Sequence, residues 1–203
     1  MKSNKYIRIA RPDDSKQILE IYKPFILNSA TTFEEEVPGL EDFKNRITTT
    51  LEECPYLVCE IDGEIAGYAY ASAYRSRAAY RWDREVSVYV HPNFRRQNIA
   101  KALYGALIPI LNLQGFVKLF GVITLPNQGS IALHESMGFQ KMTEYRDVGY
   151  KMNQWHHVGW WELTITENLQ NPPGEIIPFS TLKLNNKVAE LMENARTLLF
   201  LEG

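Results

Sequence analysis

The stretch SVYVHPNFRRQNIAKALYGAL, residues 87–107, decides the fold. Ser87 to Val90 alternate as a β-strand does, His91-Pro92 stops the strand, and from Asn98 onward Ile99, Leu103 and Leu107 recur at helical spacing. A strand feeding directly into a helix is half of a parallel crossover. Between them stand Arg95 and Arg96, at the helix start, where the first backbone N–H groups have no intrahelical acceptor. Such an end favours an anion, two arginines add charge, and Ala100 keeps the first turn open to close approach, so a diphosphate fits best. The competing reading is a solvated basic loop ahead of a helix that only packs.

Working outward, KYIRIAR reads as a strand and RPDDSKQILEIYKPFI as a helix capped by Asp13 or Asp14. Leu40, Phe43, Ile47 and Leu51 mark a second helix, and two strands follow around the turn Asp62-Gly63. Beyond residue 107, VKLFGVIT reads as a strand, QGSIALHESM as a short helix, and residues 143–165 as a closing pair of strands. Antiparallel hairpins around one parallel crossover make an α+β fold, a mixed and mostly antiparallel sheet layered by helices. Pro109 sits late in the crossover helix, where a kink is expected.

The chain has 203 residues, 45% of them apolar, enough for one full core with an appendage. A net charge of −2 gives no general attraction to nucleic acid or an anionic membrane, so any anion site must be local. No apolar run reaches the roughly 18 residues of a membrane span, and MKSNKYIRIARPDD has no signal-peptide core, so a cytoplasmic location is expected. Cys54 and Cys59 read as buried free thiols, and no metal-ligand set is apparent; the adjacent His156 and His157 would point to opposite faces of a strand. After Thr164 the segment NLQNPPGEIIPF is a proline-broken connector. Leu184, Val188, Leu191, Met192, Ala195, Leu198 and Leu199 then form an amphipathic stripe, which must be buried on its own domain or on a second subunit.

The segment Arg95-Arg96-Gln97-Asn98-Ile99-Ala100 resembles the Q/R-x-x-G-x-G/A pyrophosphate loop of the GNAT N-acetyltransferases. AYRWDREVSVYVHP, NQGSIALHESMGF and WHHVGWWEL resemble blocks of the phosphinothricin acetyltransferase-like branch of that superfamily, over about residues 5–165. The division implied is a transferase domain over 1–165 and a connector with an amphipathic helix over 166–203. Two departures lie in the loop: Arg96 and Asn98 stand where the family has glycine. Asparagine tolerates left-handed backbone angles, so Asn98 is expected to keep the loop's path, and Arg96 adds a cation.

The resemblance implies acetyl-CoA as co-substrate without a metal, a small amino-acid-like amine as acceptor, and direct attack in a ternary complex. The frequent dimers of the family suggest a homodimer. Cofactor contacts would come from the backbone of Val88, Tyr89 and Val90, expected to bulge, from Arg95, Arg96, Gln97, Asn98, Ile99, Ala100 and Lys101, and from Asn127 and Ser130. Glu85 corresponds to the branch's general base; its alternative is a carboxylate paired with Arg81 or Arg84. Burial among apolar neighbours would raise its pKa toward what a base needs. His134, seven residues after Asn127, is expected on the same helix face, lining the CoA arm as the acid for the leaving thiolate or as a hydrogen-bonded wall residue, with Leu133 turned to the core. Phe33, Tyr80 and Trp82 would wall the acceptor pocket, and Arg75 or Arg77 would grip a carboxylate. Two further functions fit the sequence, acetylation of a peptide or protein amine and non-catalytic acyl-CoA sensing.

Overall fold

The computed structural model describes residues 3–166 and 169–201. The N-terminal half runs β1 (Lys5–Ile9), α1 (Ser15–Asn28), α2 (Leu40–Glu53), β2 (Tyr56–Ile61), β3 (Glu64–Ala73) and β4 (Asp83–Val90). It continues with α3 (Ile99–Gln114), β5 (Lys118–Leu125), α4 (Gln128–Ser136), β6 (Gln140–Lys151), β7 (Gln154–Thr164), α5 (Phe179–Leu182) and α6 (Asn186–Arg196). Among the described residues one seven-stranded sheet has the order β1-β2-β3-β4-β5-β7-β6. Every neighbour pair is antiparallel except β4 with β5, the pair joined by the α3 crossover. The expected α+β sheet with one parallel step is the fold observed.

The period of two along the strands sorts side chains into two cores. On one face Tyr56, Val58 and Tyr68 pack under α1 and α2 with Ile18, Ile21 and Phe43. On the other, Leu57, Cys59, Ala69, Ala71 and Val86 meet α3, whose Ala102, Leu103, Ala106, Leu107 and Ile110 are fully buried. Helix α3 runs through Pro109 to Gln114 and ends at Gly115, whose φ of 93° suits glycine.

Two local expectations change. Asp14 precedes α1 but makes no side-chain cap bond to it. Its carboxylate instead accepts from Arg8 Nη1 at 2.6 Å and Nη2 at 2.9 Å and from the Arg11 backbone N–H at 2.6 Å, because a bidentate guanidinium outcompetes a single amide. The C-terminal stripe docks on its own domain, with Val188, Ala195 and Leu199 buried in the α3 core. Leu184 falls ahead of the α6 cap Asn185 and is 90% exposed, so it is no part of that stripe.

The start of α3 lies close to the sheet because residue 67 is glycine. A Cβ there would stand 2.9 Å from Ile99 Cγ2 and 2.9 Å from the Tyr89 carbonyl oxygen. Gly67→Ala is therefore expected to displace α3 from β4 and to lower stability by about 1–3 kcal/mol, read as a lower urea midpoint.

Candidate active site

The β4–β5 ladder is short. Its pairs are Asp83 with Lys118, Arg84 with Leu119 and Glu85 with Phe120, after which the strands part while β4 runs on to Val90 and β5 to Leu125. On its other side β4 stays paired with β3 from Arg84 to Val90 without a register shift, so the expected bulge at Val88 to Val90 is absent. The free donors arise another way. His91 N–H donates to Ala66 O, and the antiparallel alternation then directs the backbone groups of Tyr89 and Ser87 at β3 and those of Val88 and Val90 outward into the gap.

A cleft of about 620 Å³ occupies that gap. Val88, Tyr89 and Val90 form one wall, Arg95, Arg96, Asn98, Ile99, Ala100 and Lys101 one end, and Asn127, Gly129, Ser130 and Leu133 of the α4 segment the opposite wall. The first intrahelical bond of α3 is Ala102 N–H to Asn98 O, so the N–H groups of Ile99, Ala100 and Lys101 have no acceptor within the helix. Among the described residues Arg95, Arg96 and Lys101 form no ion pair. Three cations and a helix N-terminus at one end of a cleft suit a diphosphate.

The path of that end is set by two left-handed residues, Arg96 at φ 60° and Asn98 at φ 57°. Each costs on the order of 1 kcal/mol where glycine would cost little. The Gln97 side chain turns away from the cleft and accepts from Lys5 Nζ at 3.3 Å. Asn127 caps α4, its Oδ1 accepting from Ser130 N–H at 3.1 Å.

His134 leaves the cleft face expected of it, while Leu133, packed against the α3-side core as expected, also reaches the cleft. Leu133 lines the cleft, whereas His134 is 4% exposed beneath Gly121, where an added Cβ would lie 2.4 Å from its ring. Nδ1 stands 2.8 Å from the Ser130 carbonyl oxygen, which can only accept, so the proton resides on Nδ1. Nε2 then accepts from the Tyr104 hydroxyl at 3.3 Å. Burial lowers the His134 pKa, against the opposing Ser130 bond, and favours the neutral ring. Tyr104, whose hydroxyl burial pushes up, is the partner the sequence concealed: in KALYGAL it reads as one more apolar residue of the buried helix face.

Glu85 lies at the fork of the two strands. Its cross-strand neighbours are Ser72 and Phe120, and among the described residues it forms no ion pair; Arg84 is turned to the opposite face, to Cys54 Sγ at 3.2 Å and Glu53 at 3.6 Å. Burial raises the Glu85 pKa above its ordinary value, and the field of Arg75 opposes that rise. The guanidinium of Arg75 stands 5.0 Å over the Tyr74 ring and 5.4 Å over that of Tyr80. Tyr74 stacks on Phe120 at 4.2 Å, so Arg75, Tyr80 and the Glu85 neighbourhood form one aromatic cluster, which Trp160 joins.

The remaining acceptor-side residues scatter. Phe33 packs on Gly149 and lies 6.2 Å from the His156 ring, over the β6–β7 hairpin. Arg77 is exposed ahead of the turn Ala78–Tyr80. Trp82 does not wall the cleft: its indole N–H donates to Gly174 O at 2.8 Å, against the connector. His156 and His157 take separate partners, the Lys151 carbonyl and Asp147. Among the described residues no group of three or more His, Cys, Asp or Glu could hold a metal.

A forked β4–β5 pair with a cationic turn at its open end defines an acyltransferase of the GNAT kind. The family model described as the acetyltransferase (GNAT) domain matches residues 7–160, and the chain belongs to that family. Within it the chain is an N-acetyltransferase of the phosphinothricin acetyltransferase-like branch. The phosphinothricin N-acetyltransferase of Streptomyces viridochromogenes is 32% identical over 176 residues, covering 87% of this chain and 95% of that protein. An L-methionine sulfoximine/L-methionine sulfone acetyltransferase of Salmonella typhimurium is 31% identical over 166 residues, covering 80% of this chain and 95% of that protein. The crystal structure of a phosphinothricin acetyltransferase from Sinorhizobium meliloti in complex with AcCoA superposes with a TM-score of 0.81 at 33% identity, over 89% of this chain and 98% of that one.

The half-buried Glu85 carries a sign that stability can read. Its folded pKa is raised, so its contribution to stability is complete below the unfolded value near ~4.3 and is lost as pH rises through the folded value. Glu85→Gln removes that loss. The variant is expected to match the wild type in urea unfolding at pH 4 and to exceed it at pH 7; a variant less stable at pH 7 would mark Glu85 as an ion-pair partner instead.

Proposed function

We propose that the protein transfers the acetyl group of acetyl-CoA to the amine of a small amino-acid-like acceptor of the phosphinothricin or methionine sulfoximine type. The observation that carries the reading is the fork itself, which leaves β4 N–H groups free along a cleft ending in a cationic turn, with the half-buried Glu85 at the point where the strands part. Relatives named for phosphinothricin and for methionine sulfoximine, and a neighbour crystallised with AcCoA, support the acceptor class and the co-substrate.

In this mechanism the N–H groups at the start of α3, with Arg95, Arg96 and Lys101, hold the diphosphate. Val88 and Val90 N–H hold the thioester carbonyl oxygen and stabilise the charge that develops there, without reorganising. Glu85 takes the amine proton, directly or through water. The nitrogen lone pair attacks the thioester carbon and the C–N bond forms; the C–S bond then breaks, the thiolate leaves with that electron pair, and the second proton of the attacking nitrogen passes to it through water, leaving a neutral amide and thiol. An α-amine, with pKa near ~8, is already about a tenth neutral at pH 7, so Glu85 has a small free-energy gap to close. Arg75 is the cation best placed for an acceptor carboxylate. His134 acts through Tyr104 and Ser130 as a positioning residue between α3 and α4.

A transferase domain over residues 1–165 with an appendage over 166–203, a cytoplasmic location and a homodimer belong to the same proposal. Among the described residues no helix is long and apolar enough to cross a membrane. The β6–β7 hairpin exposes Met142, Tyr145, Val148, Tyr150 and Trp155, an apolar strip that a second copy would cover.

Acetyl-CoA-dependent thiol release across phosphinothricin, methionine sulfoximine, methionine sulfone, free amino acids and a short peptide tests this function. Turnover is expected on an amino-acid analogue, with Glu85→Gln lowering kcat/KM by about 10² or more while acetyl-CoA affinity holds. Turnover on the peptide alone would replace the acceptor class, and binding of acetyl-CoA without turnover on any amine would leave a sensor.

A further inference from the structure

The segment after α6 touches the loop that ends the cleft. The α6 helix is followed by a tight turn, Thr197–Phe200, and Leu201. Leu199, 3% exposed, fixes that turn in the α3 core, and Leu198 Cδ1 fills the space beside Gly105 of α3. Its carbonyls face the loop: Asn98 Nδ2 donates to Leu201 O at 2.9 Å, and Lys5 Nζ bridges Leu199 O at 3.5 Å and Gln97 Oε1 at 3.3 Å. Lys5 is itself held from the same side, since Arg196 Nε donates to its carbonyl at 2.6 Å. Two consecutive side chains of the loop, Gln97 and Asn98, are thus tied to one C-terminal turn.

Those ties fall where the loop needs them. Asn98 and Arg96 are left-handed without being glycine, so the conformation that presents the α3 N–H groups is not one the loop backbone prefers alone. The turn lies beyond residue 160, where the family match ends. We infer that residues 197–201 are a positioning element of the diphosphate site, the Leu201 carbonyl holding Asn98 directly and the Leu199 carbonyl holding Gln97 through Lys5, so that the loop stays in its ligand-binding shape. This rests on the assignment of the cleft to acetyl-CoA. The element does no chemistry; it raises affinity for the co-substrate by keeping a strained loop preformed.

The decisive experiment is a double-mutant cycle of Asn98→Gly with deletion of residues 201–203, read by isothermal titration with acetyl-CoA on the otherwise complete chain. Glycine keeps the left-handed angle and removes the Nδ2 tie. Deletion is expected to weaken acetyl-CoA binding about fivefold in the wild-type background, the worth of one hydrogen bond, and to have no further effect in Asn98→Gly. KM for acetyl-CoA should rise in step, with kcat at saturation unchanged. Lys5→Met, which cuts the Gln97 bridge and keeps the stem, should weaken binding in the same direction. A deletion that leaves affinity unchanged, or lowers it equally in both backgrounds as a new C-terminal charge would, overturns the inference. A wild-type protein that does not bind acetyl-CoA overturns the assignment of the cleft as well.

Discussion

The structure depends on the parting of β4 and β5 after the pair Glu85 with Phe120. A sheet interior normally has its N–H groups paired, because an unmade buried hydrogen bond costs about 1–3 kcal/mol. Here two strands held together at one end by a short parallel ladder diverge at the other. Strand β4 keeps all its bonds to β3 and loses only those toward β5. The result is a wedge with donors along one edge. Helix α3 then starts at its open end and α4 forms its far wall, so free backbone N–H groups of α3 and β4 converge on one cleft. No special side chain is needed for that part of the site, which is a consequence of topology.

Side chains add charge and its control. Arg95, Arg96 and Lys101 gather at the open end, and Glu85 sits where the strands part, beside Phe120, whose ring stacks on Tyr74 and meets Trp160 edge-on. Half-buried without a paired cation, its carboxylate is held closer to neutrality than an exposed one. Arg75, stacked on Tyr74 and Tyr80, supplies the positive field on that side. Charge is thus divided along the fork, cations where a diphosphate would lie and a proton acceptor where an amine would arrive.

Much of this is legible in the sequence, and the parts that are not have physical reasons. The change from period two to helical spacing across residues 87–107 gives strand, turn and helix, and hence the parallel crossover. The left-handed Asn98 is readable from residue chemistry alone. The facing of His134 is not, because a helical count from Asn127 starts on a cap at φ −151°, outside the helix, and the phase is lost before α4 begins. Trp82 follows the turn Ala78–Tyr80, and its partner Gly174 lies 92 positions later, a contact without a local signal. The amphipathic stripe of α6 announces a buried face without saying what covers it; α3 does, through Val188, Ala195 and Leu199. The absent bulge is of the same kind, since SVYV reads identically whether a strand bends or its neighbour departs.

Acyl transfer in this fold rests on Val88 and Val90 presenting free N–H groups to the acyl group. Amide spectra of ¹⁵N-labelled protein with and without acetyl-CoA test it directly. The Val88 and Val90 N–H resonances are expected to move and become protected from solvent exchange on binding, while Ser87 and Tyr89, bonded to β3, shift little. Unchanged exchange at Val88 and Val90 in a protein saturated with acetyl-CoA would contradict it.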